Sequence, residues 1–187
     1  VFIRLTYCNL RCSYCDTDYA FHEGNDMSID AIIQEIQKYD CNLIEVTGGE
    51  PLMQKESIEL MQTLVNKNYQ VMLETGGSLP VKKVPKEVIK IVDFKCPTSN
   101  MEKKNDWSII QDLNKDDEIK FVIGDKEDYD WVKEKIKEYD LYNKKILFSP
   151  IHDILDSRIL SEWILKDNLK VRLQIQLHKY IWSPETK

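Results

Sequence analysis

The sequence predicts an α/β fold, a partial and open parallel βα barrel of about six strands with reduced helices. Two observations carry this reading. Short apolar runs recur roughly every 20–30 residues, with helical patterns between them, which is the rhythm of parallel βα units. At 187 residues the chain can bury a core as one domain, yet it is too short for a closed eight-unit barrel. Residues 1–187 are therefore expected to form a single domain.

The elements follow in order. "VFIRLTY" (1–7) reads as a strand. "MSIDAIIQEIQKY" (27–39) has helical spacing, with Ser28 as N-cap and Ile29, Ile32, Ile33 and Ile36 on one face. "NLIEVTG" (42–48) is a strand, "KESIELMQTLVNKN" (55–68) a helix and "YQVMLETGG" (69–77) a strand. "IKIVDFKC" (89–96) is a fourth strand, and the polar "PTSNMEKKNDW" (97–107) after it is a loop with little room for a full helix. Then come "DEIKFVIG" (117–124) as strand, "KEDYDWVKEKIKEYD" (126–140) as helix and "KKILFSP" (144–150) as strand. "DSRILSEWILKD" (156–167) is a helix, and "LKVRLQIQLH" (169–178) closes the series as a strand. There is no internal repeat, low-complexity segment or Gly/Ser linker.

Composition narrows the function. A net charge of −6 and a pI near 5.2 exclude a general nucleic-acid or anionic-membrane surface, which needs clustered Lys and Arg. No apolar run approaches the length that spans a bilayer, and no secretory signal precedes the first strand. The chain opens at Val1 in strand character and without Met, so a leading segment is expected ahead of this numbering. Five unevenly spaced cysteines make a poor disulfide framework, so the expected setting is the cytoplasm, with reduced thiols.

Three of those cysteines crowd into "RLTYCNLRCSYCDTDYAF" (4–21) as C-x3-C-x2-C, at Cys8, Cys12 and Cys15. Thiolates are soft ligands for iron–sulfur clusters, zinc or copper. A structural zinc closes its tetrahedron with four protein ligands, and no second cysteine or histidine pair follows here. A cubane of four irons held by three cysteines leaves one iron open to a small molecule. Three buried thiols without function and a three-ligand zinc are the weaker alternatives. The other oddities, "TGGEP", "ETGG" and "DFKCP", also fall at the C-terminal ends of strands, where βα loops gather to form sites.

With an aromatic at Tyr14 before the third cysteine and "GGEP" (48–51) ending the second strand, the chain resembles the radical S-adenosylmethionine (SAM) superfamily. The resemblance implies that SAM chelates the open iron of a 4Fe-4S cluster, and that reductive cleavage yields a 5′-deoxyadenosyl radical. Within the superfamily, "FIRLTYCNLRCSYCDT", "EVTGGEPL", "ETGGS", "DFKCPTS" and "LQIQLHKYIW" together resemble the 7-carboxy-7-deazaguanine synthase (QueE) family over nearly the whole chain. That family converts 6-carboxy-5,6,7,8-tetrahydropterin to 7-carboxy-7-deazaguanine by radical ring contraction with loss of ammonia. It uses SAM catalytically and Mg2+ as an aid, and its product feeds queuosine and other deazapurines. A leading strand with a Q/N-G-E-G substrate segment, normal in the family, is absent from this numbering.

Residue by residue, the resemblance implies Cys8, Cys12 and Cys15 as cluster ligands and Thr17 as a magnesium ligand. It implies Tyr14, Gly48, Gly49, Glu50, Asp93, Phe94, Lys95 and Ser149 around SAM, with Gly49 admitting close approach of the backbone. The tripeptide Asp93-Phe94-Lys95 stands where the family often has S-P-K, and Asp93 could accept the ribose hydroxyls. Arg4, Thr47, Gln176 and His178 are the substrate candidates, Arg4 through the paired hydrogen bonds a guanidinium gives a carboxylate. His22 and His152 read as surface, Cys41 and Cys96 as small buried hydrophobes, Trp131 and Trp163 as core. The charged helix 126–138 reads as a solvated face. A flavodoxin or ferredoxin reductant and a homodimer are the expected partners. A glycyl-radical activase is the alternative enzyme, and a non-catalytic zinc or iron–sulfur module the alternative of another class.

Overall fold

The computed structural model of the protein describes residues 1–182. Among the described residues seven strands, one for each strand segment read from the sequence, form a single sheet: β1 (Phe2–Leu5), β2 (Leu43–Gly48), β3 (Gln70–Thr75), β4 (Ile89–Asp93), β5 (Glu118–Ile123), β6 (Lys145–Pro150) and β7 (Arg172–Leu173). All neighbours pair parallel, in sequence order. Parallel neighbours need crossovers. Helices α1 (Ile29–Ile36), α2 (Glu56–Asn66), α3 (Lys126–Glu138) and α4 (Ser157–Lys166) supply four of them. The connection from β3 to β4 has no helix, and that from β4 to β5 has only three 3-10 turns, Pro97–Ser99, Glu102–Lys104 and Trp107–Asp112. The reduced helix expected after the fourth strand is thus present as turns.

Local chemistry fixes where the helices begin. Ser28 Oγ accepts the Ala31 N–H at 3.2 Å ahead of α1, and Asp125 accepts from Asp128 N–H at 2.9 Å ahead of α3. Asp156 does the same for α4 through Arg158 N–H at 2.7 Å. Each helix turns its apolar stripe to one face of the sheet. Ile33, Ile36, Leu60, Leu64, Val132 and Leu160 meet Ile3, Ile44, Val46, Leu73, Val92, Phe121 and Phe148 in one core. Trp107 stacks between Phe94 and Tyr139, at 4.4 Å from each, and so caps the core where the β4–β5 helix is missing.

The sheet curls into the expected open barrel. Its outer strands, β1 and β7, would lie about 29 Å apart if it were flat, at roughly 4.8 Å per strand. Yet Gln176, just past β7, donates to Asp16, in the loop after β1, at 2.6 Å. The ion pairs Glu74–Lys120 and Glu118–Arg172 each reach across an intervening strand on the face away from the helices, as a concave surface favours.

Some expectations fail for local reasons. The last strand pairs over only Arg172–Leu173, opposite Leu147 and Phe148, and the ladder stops two residues before β6 itself ends at Pro150. The chain turns instead into α5 (His178–Ile181), so His178 stands on an exposed helical turn and not at a strand end. Cys41 is half-buried at the sheet's lower edge, its thiol 3.4 Å from the Leu43 carbonyl, and is not part of the core. Cys96 is fully buried as expected. His152 is not at the surface: only 17% of its side chain is exposed, and its Nε2 is buried without a partner. Trp131 and Trp163 pack against the core, and Lys126–Asp130 and Lys135–Glu138 lace the solvated side of α3.

Candidate active site

Past β1 the chain enters the cysteine loop through Tyr7, whose φ of +69° a bulky residue holds only when its surroundings impose it. They do so here. Tyr7 N–H donates to Ala20 O at 2.8 Å, and Glu50 N–H donates to Tyr7 O at 2.6 Å, so the two ends of the loop are fastened to each other and its first end to the second motif. Within it, Cys15 N–H donates to Cys12 O at 3.2 Å in a tight turn. Arg11 donates to the carbonyls of Cys8 and Leu10 at 2.7 Å each. Ties from other strands hold the loop over the barrel mouth. Asn9 reaches Ser78 after β3 at 3.0 Å, and Ser13 reaches the carbonyls of Ser99 and Thr98 after β4 at 3.1 Å and 2.6 Å.

Cys8, Cys12 and Cys15 are free and half-buried in this loop. Burial raises the thiols of Cys8 and Cys12, and the nearby Lys95 ammonium opposes the rise. Among the described residues no three His, Cys, Asp or Glu side chains converge as a single-ion site would require. Thiols spaced along one loop beside a lysine fit separate corners of a cluster better than one zinc centre. Thr17 Oγ1 lies 3.8 Å from Cys15 Sγ. Its hydroxyl makes no cap for the 3-10 turn Asp18–Phe21 that follows.

Gly48 and Gly49 end β2 where the loop crosses. A Cβ on Gly49 would sit 2.1 Å from Tyr7 O, and one on Gly48 2.2 Å from Leu5 O. The room these glycines leave is filled by the chain's own backbone, so the packing of the loop by itself requires glycine at both positions. Glu50 is fully buried, and its carboxylate accepts from Leu52 N–H at 3.0 Å, Thr75 Oγ1 at 2.8 Å and Gly76 N–H at 2.7 Å. It clamps the ends of β2 and β3 together.

The inner face of the sheet is polar. Arg4 and Thr47 are register partners there, with Thr47 buried and Arg4 exposed, its Nη1 3.4 Å from Gly48 O. Asp93 and Lys95 form an ion pair at 2.9 Å, and Asp93 Oδ1 is buried with no partner in the chain. Burial alone would lower Lys95, but the Asp93 carboxylate and the Cys12 thiol hold its ammonium above the usual lysine range. Phe94, between them, points the other way into the core, fully buried, so only its backbone can face a cofactor. Tyr14 has a buried, unpartnered hydroxyl beneath the cysteine loop, and burial together with Asp93 raises it far above an ordinary phenol. Ser149 is buried on β6 beside Val122 of β5.

A radical SAM superfamily model matches residues 2–102. The 7-carboxy-7-deazaguanine synthase of Koribacter versatilis is 43% identical over 100% of this chain and 90% of its own. That of Chlorobaculum tepidum is 40% identical over 100% of this chain and 86% of its own. The chain belongs to the 7-carboxy-7-deazaguanine synthase family of the radical SAM superfamily. Among solved structures, Streptococcus suis SuiB bound to S-adenosylmethionine matches with a TM-score of 0.64 over 94% of this chain and 46% of that longer chain. At 13% identity that likeness shows the fold alone. As a family member the chain is a radical SAM enzyme, and a 4Fe-4S cluster and SAM are its cofactors.

Several site residues escaped sequence reading. Glu45 and Glu74 face each other on the inner face, with Lys120 paired to Glu74. Burial and the neighbouring Glu74 raise Glu45 to about 7, while Lys120 outweighs burial and keeps Glu74 ionised. A polar or charged residue at alternate positions of an apolar parallel strand, as at Glu45 and Thr47 in "LIEVTG" or Glu118 and Lys120 in "DEIKFVIG", is the signal that could have found them. Beyond β6 lies a cavity of about 520 Å³ lined by Pro150, His152, Ile175, Gln176 and Tyr180. Gln176 lines this cavity and its side chain bonds Asp16 of the cysteine loop, whereas His178 is exposed on α5.

Proposed function

We propose that this chain converts 6-carboxy-5,6,7,8-tetrahydropterin to 7-carboxy-7-deazaguanine with loss of ammonia. What carries the reading is the cysteine loop, fastened over a polar inner face that presents Arg4 and Thr47 beside it. When bound, the cluster and SAM supply reductive sulfonium cleavage and hydrogen-atom abstraction. Cys8, Cys12 and Cys15 hold the cluster, and Lys95 offsets the negative charge their thiolates bring. Glu50 fixes the two strand ends against which the methionine part of SAM would lie. Asp93, whose buried Oδ1 has no partner in the chain, accepts the ribose hydroxyls in this reading, in place of the serine more usual in the family. Arg4 offers its two-pronged guanidinium to the pterin carboxylate. Thr17 gives an oxygen to magnesium, which takes oxygen ligands and keeps waters.

Arg11 and the exposed edge of the cysteine loop give a flavodoxin or ferredoxin a place to approach, and a homodimer in the cytoplasm completes the reading. Among the described residues no helix is long and apolar enough to cross a membrane. The test is anaerobic reconstitution followed by turnover of the carboxytetrahydropterin. About four irons per chain, release of ammonia and no net consumption of SAM support the reading. One zinc per chain, or SAM cleavage without pterin turnover, overturns it.

A further inference from the structure

The two free edges of the barrel meet at one carboxylate oxygen. Asp16 Oδ2 accepts from Gln176 Nε2 at 2.6 Å and lies 3.1 Å from Lys179 Nζ. Asp16 stands between Cys15 and Thr17, in the loop after the first strand; its two partners follow the last strand.

Apart from the Tyr180 ring against His152, with centroids 5.6 Å apart, little else holds that last segment. The sheet bonding ends with Gln174 N–H to Phe148 O at 2.8 Å, and from Gln176 onward the backbone bonds that follow are internal to the α5 turn. Leu177, Tyr180, Ile181 and Trp182 are 57–60% exposed, so apolar burial does not secure the segment. By contrast the Lys179 side chain is only 12% exposed, and an ammonium so covered needs a charged partner. The Lys179 N–H to Gln176 O bond, at 3.0 Å, forms the turn that brings both donors to the same oxygen.

On the loop side, Asp16 lies between two stiff pieces. The Cys12–Cys15 turn precedes it, and Ala20 N–H bonded to Thr17 O at 2.9 Å anchors the 3-10 turn after it. Pulling on Asp16 therefore sets how Cys15 and Thr17 stand to one another. We infer that Asp16 is a positioning residue through which the C-terminal segment 176–179 closes the open barrel edge and holds Cys15 and Thr17 in their working arrangement. This rests on the proposed cluster and magnesium roles of those two residues.

The test compares hydrogen exchange, iron content and magnesium dependence in the reconstituted full chain. Lys179→Met lies far from the loop in sequence, yet it should speed exchange in residues 12–18 about tenfold, the factor expected for one charge-assisted hydrogen bond. It should raise severalfold the magnesium needed for half-maximal turnover while leaving iron content and exchange in β2–β5 at the parental level. Asp16→Asn should have the same effect, the double variant should add little, and Asp16→Glu should keep most of the protection. Unchanged exchange in residues 12–18 of Lys179→Met, faster exchange throughout the sheet, or additive single effects would each overturn the inference. If the parent takes up no iron, the cluster reading fails by itself, and the exchange comparison on the iron-free chain still decides the tie.

Discussion

On β5, Ile119, Phe121 and Ile123 turn toward the helices and are fully buried, whereas Glu118 and Lys120 turn inward to Arg172 and Glu74. On β2, Ile44 and Val46 serve the core while Glu45 and Thr47 face the barrel. A parallel sheet covered on both faces reads as nearly continuous apolar runs. This one alternates, so only its outer face is a core. The difference separates stability from chemistry within each strand: neighbouring residues answer to opposite requirements, and substitutions one position apart should fail in different ways.

The largest effect should come from the loop above the inner face. Cys12→Ala should abolish the brown cluster chromophore and 5′-deoxyadenosine formation altogether, while thermal unfolding of the iron-free chain stays near that of the parent. Cys41→Ala and Cys96→Ala should keep both activities, since neither thiol lies in the loop. Loss of iron in Cys41→Ala would break the three-ligand reading. On the outer face, Phe121→Ala should cost about 3–5 kcal/mol, the range for emptying a buried aromatic site. Denaturant unfolding of the iron-free variant measures that loss, and iron per folded chain should be unchanged.

A subtler test uses the inner carboxylates. Glu45 is raised from an ordinary 4.5 to about 7, first by burial and then by Glu74. A carboxyl that holds its proton more tightly when folded contributes stability below 4.5 and loses it as pH rises through 7. Glu74 works in the opposite sense: held ionised by Lys120, its contribution is lost as the pH falls. Glu45→Gln should therefore remove the decline in melting temperature between pH 5 and 7 that Glu45 gives the parent. Equal slopes in the two proteins over that interval would show that the face is wetter than its geometry implies.

How much of this was legible depended on whether the signal was local. The cysteine loop, the glycines and the strand order were readable because each is a short pattern with one physical meaning. Phe94 was not, because the tripeptide Asp93-Phe94-Lys95 was read as one unit although extended backbone sends alternate side chains to opposite faces. His178 was misplaced for a different reason: "LKVRLQIQLH" alternates like a strand, but its ladder with β6 ends at Leu173 and the chain then turns into α5. The tie from Asp16 to Gln176 and Lys179 spans nearly the whole chain, and no local pattern encodes it.

The smallest change in the series, one hydroxyl, tests the most specific part of the proposal. Thr17 Oγ1 caps no helix, and it shares a hydrogen bond with Cys15 Sγ at 3.8 Å. Thr17→Val keeps the shape and removes the oxygen. Were the residue only a loop cap, the cost would be about 1 kcal/mol in stability, with magnesium stimulation intact. As a magnesium ligand, its loss should leave stability, iron content and SAM binding close to parental while stimulation by magnesium disappears. Magnesium is a hard ion held by few protein oxygens and otherwise by water and substrate, so one lost ligand can uncouple it without disturbing the cluster. Titrating magnesium into turnover assays of the two proteins separates the cases, and equal stimulation would remove Thr17 from the site.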